Sequence, residues 1–243
     1  MTVPADSVGA KRNNFIALTT FVVFPLTTPI VQAYNDRMRT LYGVAIATAV
    51  AAVTAGEPAF GDIVLDRWRS APVAQAAALR LARSAFDSYV KGRVTIPCPT
   101  DLPPELRLRA GVFVSTMNAA GAPRCCMGTL SPMQPDIAHE IIANAVAAAG
   151  LDRRFRPITM NDLSRLRLIV SIVGPPESIG STSALDPVRD GLVARYGDRD
   201  GVVLSGETPH PELVARWARI RAGAPEDAAV QYFRIEDVRM IEP

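Results

Sequence analysis

The chain has 243 residues, 49% of them hydrophobic and 21% charged, with a formal net charge of +2. It is too apolar and too nearly neutral to be disordered, and it is long enough for one sizeable core or for a domain with an appendage. Near-neutrality removes any global argument for nucleic-acid binding. Only Lys11 and Lys91 among the 26 basic residues are lysines. With so much alanine, that reads as the coding bias of a GC-rich genome rather than as arginine selected for anion contacts.

Residues 1–70 differ in character from the rest. Lys11 and Arg12 precede an uncharged run from Asn13 to Asn35, and the small residues Val31 and Ala33 stand before Tyr34. Basic, then apolar, then small is the order of a secretory signal cleaved after Ala33; the run is also long enough for an uncleaved anchor, with membrane contact through residues 15–34. Pro25, Pro29, Asp6 and several threonines favour a soluble extension instead. The three readings, and the localisation that depends on them, stay open. A second alanine-rich run, 40–56, is too short and small-sided to span, and "GEPAFGD" (56–62) reads as a linker.

From Pro72 the pattern becomes regular. Leu79, Ala82, Phe86 and Tyr89 or Val90 recur at helical spacing, and Gly92 closes an amphipathic helix over 72–92. The proline-rich stretch 96–106 is a loop that carries Cys98. Strand-like runs at 111–118 and 124–130, joined by "AAGAP", form a hairpin. Asp136 is a suitable N-cap for a helix over 136–150 with Ile137, Ile141, Ala145 and Ala148 on one stripe; His139 falls off that stripe and reads as a solvated residue. A strand over 165–176 is stopped by Gly-Pro-Pro. A compact hairpin over 190–207 has Gly197, Asp198 and Asp200 at its turn. A third helix over 211–223, preceded by His210 on a loop, and a last strand over 230–242 complete the chain. Helices and strands without a βαβ rhythm indicate an α+β fold with a mixed or antiparallel sheet and flanking helices.

Three cysteines, Cys98, Cys125 and Cys126, make no disulfide framework. Neighbouring cysteines rarely bridge each other. There is no C-x-x-C, and no cysteine–histidine pair has zinc spacing, so no metal site is expected. Cys125 and Cys126 would face opposite sides of a strand and would not chelate one ion.

The residues Arg124, Cys125, Cys126, Met127 and Gly128, after a strand, resemble the hallmark arginine-glycine-cysteine-isoleucine-glycine stretch of the AMMECR domain family. "NAVAAAGLDRRFRPIT" resembles that family's alanine-rich helix and the following motif, with Asp152, Arg154, Phe155 and Pro157 in place. Ser171 matches a central strand serine, and Asp190, Gly191 and Gly201 match a late hairpin. Together these cover about 170 residues, so the chain divides into an extension (1–70) and an AMMECR-like domain (71–243). Cys125 replaces the hallmark glycine, Pro123 an aliphatic residue and Arg153 a proline, and "SGE" replaces a proline and glutamine. The resemblance implies a larger and a smaller subdomain with a cleft between them. It implies no settled activity and no known cofactor. It also implies a place beside a Memo-like protein and a radical S-adenosylmethionine enzyme in a modification pathway.

Two functions fit these residues. In one, Cys126 is a nucleophile or redox centre, activated by Arg124 on the same strand face. Gly128 leaves room for a ligand or a close backbone, and Asp152 and Arg154 bind the ligand if the second helix delivers them to the same cleft. In the other, the same residues form a non-catalytic pocket for a small molecule or a protein partner, including a scaffold subunit of an envelope assembly. Against the first stands the packing alternative, that Cys126 is a small core residue. RNA binding is disfavoured because Arg165, Arg167, Arg216, Arg219 and Arg221 are dispersed.

Overall fold

The structure, a computed structural model, describes residues 60–243. The signal or anchor reading of residues 11–34 lies outside the described residues. No helix among the described residues is long and apolar enough to cross a membrane.

The chain forms helices α1 (Phe60–Arg69) and α2 (Pro72–Gly92), a 3₁₀ turn (Pro104–Arg107), strands β1 (Gly111–Asn118) and β2 (Pro123–Gly128), and helix α3 (Ile137–Gly150). A one-turn helix α4 (Met160–Leu163) and strands β3 (Leu166–Val173), β4 (Glu177–Ile179), β5 (Asp190–Tyr196) and β6 (Arg199–Val203) follow. Helix α5 (Pro211–Ala222) and strand β7 (Gln231–Ile241) end it. The bounds of α2 and β1 are those the sequence predicts. Phe60 opens α1 inside the stretch read as a linker, and β4 resumes after the Gly174-Pro175-Pro176 break.

The strands make one antiparallel sheet in the order β2-β1-β3-β7-β5-β6, with β4 paired to β7. Strand β7 joins the two halves. Asp237 to Ile241 pair with β3, while Gln231 to Glu236 pair with β5. The Gly-Pro-Pro break explains the split on the other edge of β7: proline donates no ladder bond. Gly174 N still bonds Glu236 O at 2.9 Å, and β4 then pairs with residues 232–234.

All the long helices lie on one face of this sheet. Helices α1, α2 and α3 cover Val112, Val114, Leu168, Val170, Ile172 and Met240. Small residues such as Ala77, Ala78, Ala82 and Ala85 of α2 and Ala138, Ala145 and Ala148 of α3 are buried, which lets the helix axes approach closely. Helix α5 packs on Leu192, Ala194 and Val203 at the other end. Gly201 is required there, because a Cβ would lie 2.0 Å from Ala218 O. The sheet curls, so its opposite face is concave: Phe113 and Cys126 from β1 and β2 meet Val193 and Val202 from β5 and β6 across it. The larger half is β2-β1-β3 with α1–α3, the smaller is β5-β6 with α5, and this cluster lines the seam.

Local signals explain most boundaries. Asp136 caps α3, its carboxylate accepting from His139 N at 2.9 Å. Gly223, at φ 66°, ends α5 in the left-handed conformation that glycine tolerates. Gly197, at φ 62°, makes the two-residue turn between β5 and β6. Asp200, read as a turn residue, lies in β6 and accepts two bonds from Arg195, at 2.7 and 2.8 Å.

Helix α1 belongs to the larger half's core: Val64, Leu65 and Trp68 are 3%, 2% and 0% exposed. Trp68→Ala should therefore destabilise the protein by about 3–5 kcal/mol, as for other buried aromatic truncations. Urea unfolding of the full chain measures this, and a loss below about 0.5 kcal/mol would mean that α1 is only appended.

Candidate functional site

Strand β2 is an edge strand, and an exposed strand edge offers unsatisfied N–H and C=O groups. Here side chains from the segment after α3 occupy that edge. Asp152 Oδ2 accepts from Cys126 N at 2.9 Å, and Arg154 Nη2 donates to Cys126 O at 2.5 Å. The two are themselves paired, Arg154 Nε to Asp152 Oδ1 at 2.7 Å, with side chains 17% and 3% exposed. The pair thus bonds both backbone polar groups of one residue, as a neighbouring strand would. Arg124 fastens the same segment by donating to Arg156 O at 2.9 Å and stacking 6.0 Å from the Phe155 ring, which Arg154 approaches at 5.6 Å.

The structure thus brings Arg124, Cys126, Asp152 and Arg154 together, but through backbone and carbonyl contacts. Cys126 is 3% exposed, and burial pushes its thiol well above the ordinary range; the strongest opposing field comes from Arg154. Arg124 acts more on Cys125, whose thiol burial nonetheless pushes up to about 12. Cys125 faces the helix side and lies 3.1 Å from Thr116 Oγ1. The two cysteines do occupy opposite faces. Arg124 turns to carbonyls and Cys126 packs among apolar side chains, so this geometry lends nothing to an Arg124-activated thiolate. The space at Gly128 belongs to Phe113, whose ring would lie 2.3 Å from an added Cβ.

On the concave face lies a polar group that the sequence pattern does not single out, except for Ser171. Ser171 of β3 stands opposite Arg239 of β7, and Val173 opposite Asp237. The period of two puts Ser171, Asp237 and Arg239 on the side of Phe113 and Ile235. Among the described residues, four buried side-chain polar atoms have no hydrogen-bond partner, and three of them are Ser171 Oγ, Asp237 Oδ2 and Arg239 Nε. The 204–208 loop lies against them: Ser205 N donates to Asp237 Oδ1 at 3.2 Å, and Arg239 Nη1 donates to Ser205 O at 2.6 Å. Burial raises the Asp237 carboxyl, and hydrogen bonding from Ser205 and, more distantly, Ser171, with the Arg239 charge, offsets part of that.

The rim toward β6 carries a second ion pair, Arg221 Nη2 to Glu207 Oε2 at 2.7 Å, with Arg221 Nη1 donating to Val202 O at 2.5 Å. Both Arg221 and Glu207 act electrostatically on Cys126, so the two ends of the curled sheet meet at this seam. A different buried carboxylate, Glu140 of α3, is structural. It accepts from Thr129 Oγ1 at 3.1 Å, Gln134 N at 2.6 Å, Asn144 Nδ2 at 3.2 Å and Met133 N, which fixes the loop leaving β2.

One further grouping is one that the spacing of cysteines and histidines along the chain does not show. Cys98, Asp136 and His139 each place a donor atom within 4.8 Å of the others. Sequence spacing cannot show this, because the proline-rich loop folds back over the start of α3. His139 is accordingly not simply solvated: its Nδ1 lies 2.6 Å from Asp136 Oδ1.

Comparison with known proteins agrees with this architecture. The AMMECR1 family model matches residues 79–236. The chain is 34% identical over 166 residues to a Thermotoga maritima protein, covering 65% of this chain and 94% of the relative. It is also 34% identical over 149 residues to protein PH0010 of Pyrococcus horikoshii, covering 57% and 68%. The crystal structure of PH0010, described as an uncharacterized protein, matches with a TM-score of 0.57 at 28% identity, over 67% of this chain and 88% of that one. An α+β domain with this curled sheet and edge clamp is the class of protein in hand, and the chain belongs to the AMMECR1 family. The match takes in the 124–128 and 152–157 stretches and stops one residue short of Asp237.

The Asp237 position makes a pH prediction. Its folded-state pKa is raised above the ordinary value of 3.8, so the folded protein holds the proton longer than the unfolded chain. Stability from this group is therefore fully present below about 3.8 and falls as pH rises through the raised value. Each tenfold difference in proton affinity between the folded and unfolded carboxyl is worth about 1.4 kcal/mol. Asp237→Asn removes that slope. Urea midpoints from pH 4 to 8 should show the variant gaining on the wild type as pH rises, and parallel curves would refute the assignment.

Proposed function

We propose that this AMMECR1-family domain works as a binding module for a small molecule or a partner's side chain, with its recognition site on the concave face at Ser171, Asp237 and Arg239. The observation that supports this reading is the gathering of three buried polar side chains at one spot, each with an atom that, among the described residues, has no partner at close hydrogen-bond distance, with Ser171 still near enough to Asp237 to act on its carboxyl. A buried donor or acceptor left unmet costs about 1–3 kcal/mol, and Arg239 Nε is the one here that no neighbouring group among the described residues meets. Asp237 Oδ2 accepts, Arg239 Nε donates and Ser171 Oγ does either. A ligand that presents an N–H and a C=O side by side, as a primary carboxamide does, matches this set. The 204–208 loop is the element that must yield for entry, since Ser205 holds both Asp237 and Arg239.

A nucleophilic role for Cys126 gains no support from the same geometry. A reactive thiol is partly exposed and has a depressed pKa, whereas Cys126 is buried and its pKa is raised. Arg154 and Asp152, read as ligand-binding candidates, serve in this proposal as positioning residues that hold β2.

Two measurements test the proposal. Titration with acetamide, followed by NMR, should shift the Arg239 Nε–H and Ser205 amide resonances in the wild type but not in a Ser171→Ala/Asp237→Ala variant; shifts confined to other regions would reject the site. Iodoacetamide at neutral pH should label Cys98 in the native protein and leave Cys125 and Cys126 until the protein is unfolded. Fast labelling of Cys126 would restore the enzyme reading.

A further inference from the structure

Cys98 stands between Pro97 and Pro99 on the loop that follows α2, and it is partly exposed. The loop returns to the start of α3, where Asp136 caps the helix and His139 lies in its first turn. The carboxylate of Asp136 is 11% exposed and the imidazole of His139 41%. A sulfur, an imidazole nitrogen and a carboxylate oxygen thus lie within 4.8 Å of one another on a surface open to solvent on the histidine side. The whole chain has two histidines and three cysteines. Since Cys125 and Cys126 are buried, this one spot gathers the chain's accessible thiol and one of its two imidazoles.

A cation already bridges two of the three donors. Arg107 Nη1 donates to Cys98 Sγ at 3.6 Å and to Asp136 Oδ2 at 3.1 Å. Its other nitrogen, Nη2, donates to Pro99 O at 2.8 Å and Thr100 O at 3.2 Å. Those carbonyls would still hold the guanidinium if the Cys98 and Asp136 contacts were given up. Arg107 is also 38% exposed and can move. The remaining contact, His139 Nδ1 to Asp136 Oδ1, runs through a shared proton that a metal ion can replace.

We propose that Cys98, Asp136 and His139 form a three-ligand site for a borderline divalent cation of the zinc class, with Arg107 as its competitor. One sulfur, one nitrogen and one oxygen donor suit zinc better than magnesium or calcium, which prefer all-oxygen shells. Metal–ligand bonds of about 2.0–2.3 Å put ligand atoms about 3.3–3.8 Å apart, so on binding the 2.6 Å contact between Asp136 and His139 opens and Cys98 approaches them. Three protein ligands leave a fourth position for water. On binding, Cys98 coordinates as the thiolate and its proton passes to solvent. The positive end of α3 and the Arg107 guanidinium both oppose a cation, so the site binds less tightly than a four-ligand structural zinc site. This site is separate from the concave face and does not depend on the role proposed there.

The test uses the tag-free full-length protein, stripped with a chelator and titrated with cobalt chloride and then zinc chloride. One equivalent of cobalt should bind with a near-ultraviolet sulfur-to-cobalt charge-transfer band, which zinc then abolishes. Cys98→Ser should remove the band, and Cys126→Ser should keep it. His139→Gln removes a ligand and should weaken binding by more than the ~10–100-fold typical when only a ligand's hydrogen-bond partner is lost, and Arg107→Gln should tighten it. Zinc should also protect Cys98 from alkylation in the unmutated protein, a readout that needs no variant to fold. Absence of a charge-transfer band at one equivalent, a band that survives in Cys98→Ser, or unchanged Cys98 alkylation with zinc would each overturn the proposal.

Discussion

The unsatisfied edge of β2 is the constraint around which the larger half is organised. A strand edge buried or half-buried without partners is costly. The Asp152–Arg154 pair meets both of its groups at Cys126, as a carboxylate acceptor for the amide and a guanidinium donor to the carbonyl. That arrangement explains why two stretches separate in sequence, 124–128 and 152–157, lie against each other. One supplies the backbone to be capped, and the other supplies the cap. It also explains the chemistry at Arg124, whose carbonyl contacts at Arg156 and Pro157 fasten the same segment a second time.

The clamp has a consequence for the hallmark cysteine. With its amide and carbonyl engaged outward, Cys126 is held with its side chain on the concave face, where it packs with Phe113, Val193 and Val202. The thiol is thereby kept protonated and covered. Beyond it on the same face, polar atoms at Ser171, Asp237 and Arg239 interrupt the apolar lining. A curled sheet with all its helices on the outside leaves its inner face to be finished by something other than a helix, and the 204–208 loop does part of this through Ser205.

Much of the architecture is legible along the chain. Helix α2 follows from its apolar spacing and closing glycine, α3 from Asp136, and the β5–β6 hairpin from Gly197, because each signal is local. The start of α1 is not, because Gly56, Pro58 and Gly61 read as a break while Trp68 becomes buried only when α2 and the sheet are in place. Strand β4 is three residues long and exists by pairing with β7, which no local pattern announces. The family stretches around Cys126 and Asp152 are visible as patterns, whereas the contacts of Arg124 and Gly128 are not. Arg124 meets carbonyls, and Gly128 makes room for Phe113.

The sequence by itself determined that this is an α+β domain of one family, where most of its helices and strands begin and end, and that its neighbouring cysteines face opposite sides. Those properties depend on residue period, caps and turns, which act over a few positions. Only the tertiary structure decided the state of the thiol, the convergence of Ser171, Asp237 and Arg239, and the meeting of Cys98 with Asp136 and His139. Burial and through-space contact between distant segments set those, and they come into being when the sheet curls and the loops fold back.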